Sequence, residues 1–269
     1  MTDAADAEAA GAGEAAGAGG AWVAMVTGAG RGIGRAVAQR LSSEGLRVAL
    51  VARDAGQLAE TAALCAGPAL ALPADVTDEE EVEDAFAAVE DAWGPVEVLV
   101  AAAGGGFSAR LEETTDADWQ RMLDLNLTAP FRCLRRAVPG MRAGGFGRVV
   151  VIASTAARIG EPYLAAYTAS KHGVLGLVRA AAAELAGTGV TVNAVCPGFV
   201  DTPMTAATIA NIVTRTGRTG DQARSALEAR QPIGRLITPE EVAGAVWFCV
   251  VSESVTGQAI NVDGGTVQS

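Results

Sequence analysis

The sequence predicts an α/β fold, in which a single doubly wound parallel sheet of about seven strands carries helices on both faces. Two observations lead to this prediction. From Ala21 onward, short apolar runs rich in Val, Leu and Ala alternate with longer stretches of helical periodicity. The short runs are apolar at nearly every position instead of every second one, which is typical of parallel strands that are buried on both faces.

The predicted strands and helices alternate over most of the chain. Apolar runs bounded by turn-forming or charged residues predict strands at 22–27, 47–52, 69–75, 96–103, 147–154, 190–197 and 259–262. Helical patterns predict helices at 32–45, 54–66, 78–93, 115–139 and 163–187. The third of these helices begins with acidic residues, which are favoured at the positive N-terminal end of a helix.

Two parts of the chain lie outside this alternating pattern. Residues 1–20 are mainly Ala and Gly with a few acidic residues, so a flexible acidic tail is predicted there. Residues 21–269 contain no linker-like segment and are predicted to form one domain. Within that domain the stretch 204–235 consists of helical pieces separated by glycine.

The composition excludes several classes of protein. Half of the 269 residues are hydrophobic and 19% are charged, which is typical of a globular protein. A net charge of −11 argues against nucleic-acid binding, because neutralising phosphates requires a basic face. No apolar run of about 18 residues is present, so no membrane span is predicted. The N-terminus also lacks the basic and apolar regions of a secretory signal.

The cysteines indicate a reducing compartment. Four cysteines are scattered without the spacing of metal ligands, and no metal site is predicted. Together with the missing secretory signal, this pattern predicts free thiols in a cytoplasmic protein. The four are Cys65, Cys133, Cys196 and Cys249.

A glycine-rich loop follows the first strand and opens the first helix. Gly28, Gly32 and Gly34 allow the backbone to turn tightly and to approach a pyrophosphate, whose charge would face the helix N-terminus. By itself such a pattern is no more than a glycine-rich turn. Its position between a strand and a helix favours the binding of a dinucleotide.

The end of the second strand bears on which dinucleotide is bound. An acidic residue at that point would accept a hydrogen bond from a ribose 2′-hydroxyl and would repel a 2′-phosphate. Here the strand ends at Ala52 and is followed by Arg53, while Arg31 lies in the glycine loop. Asp54 could instead cap the next helix, and both arginines could be solvated surface charges. The two arginines favour NADP(H) over NAD(H).

The only lysine of the chain, Lys171, lies four residues after Tyr167. Residues at this spacing share one face of a helix. A free phenol has a pKa of about 10 and is a poor base at neutral pH, but a nearby ammonium group would lower that pKa. The pair would then supply an acid or a base. The alternative is an ordinary helix with an aromatic residue and a surface lysine, and the other tyrosine, Tyr163, is expected to line the cleft or to pack.

Further polar residues and motifs occur in the order of a known family. Ser154 ends the fifth predicted strand, and Asn126 lies in an apolar stretch of the long helix. The chain resembles the short-chain dehydrogenases/reductases, which have a Rossmann fold, over about 21–265. The resemblance rests on "TGAGRGIG" (27–34), "ADVTD" (74–78), "AAAG" (101–104), "LDLNL" (123–127), "IAS" (152–154), "YTASK" (167–171), "CPGFVDT" (196–202) and "NVDGG" (261–265).

The resemblance implies a catalytic tetrad of Asn126, Ser154, Tyr167 and Lys171. In this family the tyrosine protonates the carbonyl oxygen, the serine hydrogen-bonds the same oxygen, the lysine binds the ribose and lowers the pKa of the tyrosine, and the asparagine orders a water relay. The implied cofactor contacts are Gly28, Arg31, Gly32, Ile33, Gly34, Arg53, Asp75, Val76, Ala102, Gly104, Tyr167, Lys171, Pro197, Val200 and Thr202.

Some of these contacts have specific roles in the family. Asp75 would bind the adenine amino group, and Val200 and Thr202 would hold the nicotinamide carboxamide. One departure from the family pattern concerns Ala101, which stands where these proteins usually have an asparagine that ties neighbouring strands together. This departure puts the local rigidity of the sheet edge in doubt more than it does catalysis.

Several stretches are similar to ketoreductases of bacterial aromatic (type II) polyketide synthases and to 3-oxoacyl-ACP reductases. The segment 204–235 would form the lid over the substrate. Its arginines are either solvated charges or a site for the anionic arm of a carrier protein or of coenzyme A. The arginines are Arg215, Arg218, Arg224, Arg230 and Arg235.

Two other functions remain open, as does the state of assembly. A catabolic 3-hydroxyacyl or small-alcohol dehydrogenase that uses NAD(H) would share most of these motifs. A non-catalytic dinucleotide sensor would normally lack one of the tetrad residues, all of which are present here. The small and apolar residues of the helices at 115–139 and 163–187 predict a homotetramer, with a homodimer as the second expectation.

Overall fold

The computed structural model of the chain describes residues 20–268 and the backbone of residues 16 and 17. Most of the predicted acidic tail lies outside the described residues, apart from a short pairing of Ala16–Gly17 with Gly20–Ala21. Seven parallel strands form the central sheet of the described chain. They are β1 (Val23–Thr27), β2 (Arg47–Ala52), β3 (Ala69–Pro73), β4 (Val98–Ala101), β5 (Gly147–Ile152), β6 (Val190–Pro197) and β7 (Ala259–Val262).

The order of the strands confirms the predicted doubly wound sheet. The strands lie side by side in the order β3-β2-β1-β4-β5-β6-β7, so the direction of winding reverses between β1 and β4. At such a reversal the connections leave on opposite faces of the sheet and open a crevice beyond the carboxyl ends of the strands. The fold therefore places a binding cleft next to the glycine loop that follows β1.

Helices cover both faces of this sheet. They are α1 (Gly32–Ser43), α2 (Ala55–Leu64), α3 (Glu79–Trp93), α4 (Asp116–Leu123), α5 (Ala129–Gly144), α6 (Ala165–Glu184), α7 (Pro203–Thr216), α8 (Gly220–Glu228) and α9 (Pro239–Val251). One apolar layer joins α3, α5 and α6 to the sheet through residues such as Phe86, Met141 and Leu175. The opposite layer joins α1, α2 and α9 through residues such as Leu41 and Val246.

The structure differs from the predicted elements at two places. The predicted helix 115–139 is divided into α4 and α5 by a π-helical turn at Asp124–Thr128, and it continues to Gly144. Helix α9 was not predicted at all. Its start carried a recognisable signal, because the Thr238 and Glu241 side chains form a capping box ahead of a proline in the first turn.

The lid segment contains α7 and α8, with a left-handed Gly217 between them. The predicted helical pieces are therefore present. Three of the four cysteines are buried, Cys65 is half-buried, and all four thiols are free. Within residues 20–268, no helix combines the length and the apolar character that crossing a membrane requires.

Candidate active site

A cavity of about 1460 Å³ lies at the carboxyl ends of β1, β4 and β5. Its wall is formed by the glycine loop, the ends of β2, β4 and β5, the first turns of α6 and the segment 197–205. Every residue predicted to be catalytic or to bind a cofactor lines this cavity. The fold thus brings together residues that are more than 170 positions apart in the sequence (Gly28 and Thr202).

The glycine loop is shaped for close approach. Gly28 has a left-handed backbone with φ of +68°, and a Cβ on it would lie 2.8 Å from the Cα of Ala103. A Cβ on Gly34 would lie 2.2 Å from the carbonyl oxygen of Gly28. Arg31 precedes α1 without a side-chain cap, and the first turn of α1 carries no acidic residue. The N-terminal amides of α1 therefore remain open to an anion at the cavity wall.

A polar brace holds this loop from behind. We define the brace as Arg35 of α1 and Thr61 of α2. The guanidinium group of Arg35 donates to the carbonyl oxygen of Gly30 and to the Thr61 hydroxyl, at 2.6 Å and 3.0 Å. The Thr61 hydroxyl is within 3.0 Å of the carbonyl oxygen of Ala29. Because C=O and N–H point opposite ways in a trans peptide, the brace turns the amides of Gly30 and Arg31 away from α2.

The far end of the cavity carries exposed charges. The Arg53 side chain is 80% exposed and lies 3.7 Å from the Asp75 carboxylate. Asp54 caps α2 by accepting from the backbone N–H of Gln57, so it is engaged in the helix as the alternative interpretation expected. Burial alone would raise the pKa of Asp75, but hydrogen bonds from Thr77 and the charge of Arg53 hold that pKa below its usual value.

The missing asparagine at Ala101 has a structural substitute. Ala101 is buried in β4. The hydroxyl of Thr27, at the end of β1, accepts hydrogen bonds from the backbone N–H groups of Ala102 and Ala103, both at 3.1 Å. The carboxyl ends of these two neighbouring strands are therefore joined through a threonine. The concern about local rigidity that the sequence raised does not apply here.

Lys171 lies deep in the protein beneath the cavity. Its side chain is only 4% exposed, and its Nζ donates to the carbonyl oxygen of Ile152 at 2.8 Å. Burial lowers the pKa of Lys171 to about 8, because a charged ammonium group loses its hydration there. Nζ also lies 5.8 Å from the centre of the Tyr167 ring. An arginine could not match this compact charge in so small a space.

Tyr167 and Ser154 meet at the cavity surface. Ser154 follows β5 by two residues instead of ending it, its Oγ accepts from the backbone N–H of Ala156 at 3.1 Å, and its side chain lowers the pKa of the neighbouring Tyr167. Tyr167 is half-buried. Burial raises the pKa of Tyr167 above its usual value, and the contact with Ser154 offsets only part of this effect. The expectation that Lys171 lowers this pKa stays a prediction, because burial sets the direction of the shift in the structure described here.

Asn126 lies in the π-helical turn and is fully buried. Its side chain pairs with both backbone groups of Gly105, donating to the carbonyl oxygen at 3.0 Å and accepting from the N–H at 3.2 Å. A Cβ on Gly104 would lie 3.1 Å from Asn126 Oδ1 and 3.6 Å from Lys171 Nζ. Gly104 thus keeps a narrow space between the asparagine and the lysine.

The segment 197–202 forms another part of the cavity wall. The carbonyl oxygen of Val200 accepts from the hydroxyls of Thr202 and Thr205, at 3.3 Å and 2.5 Å. The backbone N–H of Val200 has no acceptor in the described part of the chain. Thr205, like Gln57 near the glycine loop, lines the cavity without having been predicted to do so. Each is identified only by contacts that the folded chain creates.

Of the remaining predicted residues, four line the cavity and Tyr163 does not. Ile33, Val76, Ala102 and Pro197 line the cavity through their backbone or apolar side chains. Tyr163 is 63% exposed, lies outside the cavity lining and has a left-handed backbone with φ of +65°. Its carbonyl oxygen accepts from the N–H of Ala109.

Most lid arginines are paired within the chain. Arg224 pairs with Asp201 and Glu228, Arg230 with Glu161, and Arg235 with Glu241. Arg215 donates to the carbonyl oxygen of Ser108 at 3.3 Å. The basic bias of the lid is therefore largely neutralised by carboxylates of the same chain. This arrangement removes most of the support for an anion-binding lid.

The geometry of the cavity fits a dinucleotide. A Cβ on Gly28 or Gly34 would fill the space beside the glycine loop. The first turn of α1 is open to an anion, and Arg31 and Arg53 line the cavity. Comparison with known proteins agrees with this fit. A family model described as "Enoyl-(Acyl carrier protein) reductase" matches residues 28–267.

Individual relatives match over nearly their whole length. A Streptomyces coelicolor protein, whose name gives ketoacyl reductase as a provisional activity, is 43% identical over 90% of this chain and 96% of its own. A D-beta-hydroxybutyrate dehydrogenase of Rhizobium meliloti is 35% identical over 90% of this chain and 97% of its own.

The solved structures give the same result. The crystal structure of a variant of the actinorhodin polyketide ketoreductase with NADPH matches with a TM-score of 0.89 and 42% identity, over 91% of this chain and 97% of that one. The predicted resemblance is thus confirmed by sequence and by structure. The chain belongs to the short-chain dehydrogenase/reductase family, whose members are oxidoreductases.

Proposed function

We propose that the protein is an NADP(H)-dependent ketoreductase that reduces a β-ketoacyl or polyketide intermediate held as a thioester. The observation that carries this proposal is that Ser154 and Tyr167 line one cavity together with the buried Lys171, whose Nζ lies 5.8 Å from the centre of the Tyr167 ring. A pair of hydroxyls at one point can hydrogen-bond a single carbonyl oxygen. Polarising that oxygen and giving it a proton is what the reduction of a ketone requires.

The cofactor would be held along the whole cavity. The open amides of α1 would receive the pyrophosphate, and Arg31 and Arg53 would face a 2′-phosphate. Asp75 and Val76 would contact the adenine, Ala102 and Gly104 its ribose, and the segment 197–202 the nicotinamide. When bound, the cofactor supplies a hydride for the carbonyl carbon.

The side chains of the chain itself supply the proton. Ser154 Oγ would donate a hydrogen bond to the carbonyl oxygen and fix its position. Tyr167 Oη would transfer its proton to that oxygen, and its raised pKa keeps the phenol protonated at neutral pH. Lys171 Nζ would then return a proton toward Tyr167. Asn126 holds the backbone at Gly105 and would order the path by which Lys171 is reprotonated.

A 3-hydroxyacid dehydrogenase is the second candidate, and it is favoured by the similarity to the D-beta-hydroxybutyrate dehydrogenase. Both candidates share the tetrad, and they differ in the substrate and the cofactor. The ketoacyl reductase and polyketide ketoreductase relatives at 43% and 42% identity support the first candidate more strongly. A thioester substrate would come from a carrier protein or from coenzyme A.

An assay of NADPH and NADH oxidation tests these alternatives. We expect NADPH-dependent reduction of β-ketothioesters and cyclic ketones, with a higher kcat/KM for NADPH than for NADH. Arg53→Asp should erase or reverse that preference, because a carboxylate there repels a 2′-phosphate. Equal kcat/KM for the two cofactors in the natural protein would overturn the assignment to NADP(H). Oxidation of 3-hydroxybutyrate with NAD⁺ alone would favour the dehydrogenase.

Assembly and location stay predictions. Trp119 of α4 and Phe131 of α5 are about two-fifths exposed on helices that were predicted to join subunits. A homotetramer in the cytoplasm fits these surfaces and the family, and a homodimer is the second expectation. Light scattering on the active enzyme tests the first point, and a monomer with full activity at micromolar concentration would contradict it.

A further inference from the structure

Gln231 is a buried glutamine outside the cavity, and neither the tetrad nor the cofactor contacts account for it. It lies between α8 and α9, and only 2% of it is exposed. A buried amide that lacked partners would cost free energy, so its hydrogen bonds show what it holds in place. Those bonds lead to the segment 197–202.

The side-chain amide of Gln231 hydrogen-bonds both backbone groups of Phe199. Its Oε1 accepts from the N–H of Phe199 at 2.8 Å, and its Nε2 donates to the carbonyl oxygen of Phe199 at 3.1 Å. The same Nε2 donates to the carbonyl oxygen of Arg235 at 2.7 Å. These three side-chain hydrogen bonds of Gln231 all go to backbone groups, two on Phe199 and one on Arg235. Gln231 therefore fastens the base of the lid to the segment 197–202.

Two further contacts leave Phe199 little freedom. The backbone N–H of Ile237 also donates to the carbonyl oxygen of Phe199, at 2.9 Å. A Cβ on Gly198 would lie 2.2 Å from Gln231 Oε1, so the glutamine fits only against a glycine. The peptide between Phe199 and Val200 is thus held at its oxygen by two donors.

The opposite side of this peptide belongs to the cavity. In a trans peptide the N–H points away from the preceding C=O, so the N–H of Val200 points away from Gln231. Val200 lines the cavity, and its N–H has no acceptor among the described residues. Gln231 consequently fixes the direction of an unused donor at the cavity wall.

We infer that Gln231 is a positioning residue for the nicotinamide, acting through the Phe199–Val200 peptide. The inference rests on the proposed function, because it requires a nicotinamide cofactor whose carboxamide accepts from the N–H of Val200. Gln231 touches neither cofactor nor substrate. Its effect is to hold the amide that orients the ring, and with it the distance between the reacting atoms.

The test separates the nicotinamide from the rest of the cofactor. The probes are NADPH and 2′-phospho-ADP-ribose, which lacks the nicotinamide, and both are titrated by calorimetry into the natural protein and into Gln231→Met. Methionine keeps the length of the side chain but not its hydrogen bonds. We expect NADPH to bind about fivefold more weakly and kcat to fall about tenfold, while binding of the fragment stays unchanged. Gln258→Met is the matched control and should change none of these, because the Gln258 side chain is exposed outside the cavity lining and donates to the carbonyl oxygen of Thr256.

A second variant guards against a fold defect. Gln231→Glu keeps the shape and can still accept from the N–H of Phe199, but its carboxylate cannot donate to the carbonyl oxygens of Phe199 and Arg235. Protonation restores one donor, so kcat relative to the natural enzyme should recover as the pH falls. The charged side chains on the surrounding segments are those of Asp201, Glu228, Arg230, Arg235 and Asp263.

The possible results lead to different conclusions. Weaker binding of NADPH with intact binding of the fragment supports the inference. Equal loss for both probes, or no change for either, overturns it. If none of the ketones tested supports NADPH oxidation by the natural protein, the proposed function fails. The two binding titrations still decide whether Gln231 positions the nicotinamide.

Discussion

At one end of the cavity a buried lysine accompanies two half-buried hydroxyl-bearing side chains, whereas at the other end the arginines are exposed to solvent. We call the first the catalytic end, defined by Ser154, Tyr167 and Lys171, and the second the phosphate end, defined by Arg31, Arg53 and Asp75. Lys171 is 4% exposed and its pKa is lowered to about 8. The Arg53 side chain is 80% exposed, and it pairs with Asp75 at a distance of 3.7 Å.

This difference predicts how each end responds to change. In a buried site, the loss of one partner leaves a group that neither water nor ions can compensate. In an exposed site, water and salt screen each charge, so single contacts contribute little. We therefore expect large, salt-independent effects at the catalytic end and small, salt-dependent effects at the phosphate end.

The largest effect is expected for Tyr167→Phe. This change removes the proton donor and leaves the ring in place, so kcat should fall by at least about a thousandfold. The affinity for NADPH, measured by fluorescence titration, should stay near that of the natural enzyme. Near-normal turnover would remove Tyr167 from the mechanism.

Two matched variants sharpen this test. Tyr163→Phe changes the other tyrosine, which lies outside the cavity lining, and it should leave kcat unchanged. Lys171→Arg keeps the positive charge but enlarges the head group in a packed site, and it should lower kcat about a hundredfold.

The second prediction concerns the stability of the protein without cofactor. Because the folded-state pKa of Lys171 is about 8, below its value of 10.5 in an exposed chain, burial of the ammonium group destabilises the fold at neutral pH. Between pH 8 and 10.5 the unfolded state binds more protons, so stability should rise with pH. Over this window the gain amounts to about 3 kcal/mol.

The effect of Lys171 is isolated by comparison with Lys171→Met. Burial raises the pKa of Cys133 and Cys249, which lowers stability above pH 9 in both proteins and cancels in the difference. Urea unfolding from pH 7 to 10 should show the natural protein gaining on the variant as the pH rises. A constant difference would mean that Lys171 has an ordinary pKa in the folded chain.

Much of the fold was predictable because it follows from local patterns. The apolar runs gave the strands of the parallel sheet, and the glycine spacing located the cleft. Helix α9 was missed although Thr238 and Glu241 formed a readable start signal. The apolar content of this helix is high on all sides, so it lacks the periodicity by which the other helices were identified.

The unpredicted parts of the site depend on distant contacts. Gln231 binds Phe199 across 32 positions, and Thr61 binds Ala29 across 32. Nothing in the local sequence indicates that either of these polar side chains, Gln231 or Thr61, is buried. The net direction of the Tyr167 pKa shift could not be predicted for a related reason, since a spacing of four residues shows that Lys171 is close but not how strongly both groups are buried. The packing around Tyr167 decides whether burial, which raises its pKa, outweighs a nearby positive charge, which lowers it.

The brace provides the third prediction, of intermediate size. Thr61 is fully buried, and Thr61→Val removes its hydrogen bonds to the loop at nearly constant volume. The amides proposed to bind the pyrophosphate should lose their orientation, so we expect NADPH to bind about tenfold more weakly with kcat unchanged. Thr191→Val is the control, because the Thr191 hydroxyl is buried without a hydrogen-bond partner in the described chain. An unchanged affinity in Thr61→Val would show that the glycine loop keeps its shape without the brace.

The smallest effect is expected at the phosphate end, from Arg53→Ala. The guanidinium group is largely hydrated in the free protein, so its attraction to a 2′-phosphate is screened, and we expect NADPH to bind only about fivefold more weakly at low salt. At about 0.5 M salt this difference should shrink toward zero, because exposed charges are then screened within a few ångströms. The loss caused by Gln231→Met should persist at the same salt, since its hydrogen bonds are buried. If the effect of Arg53→Ala is large and independent of salt, the phosphate end closes around its ligand, and the contrast between the two ends disappears on binding.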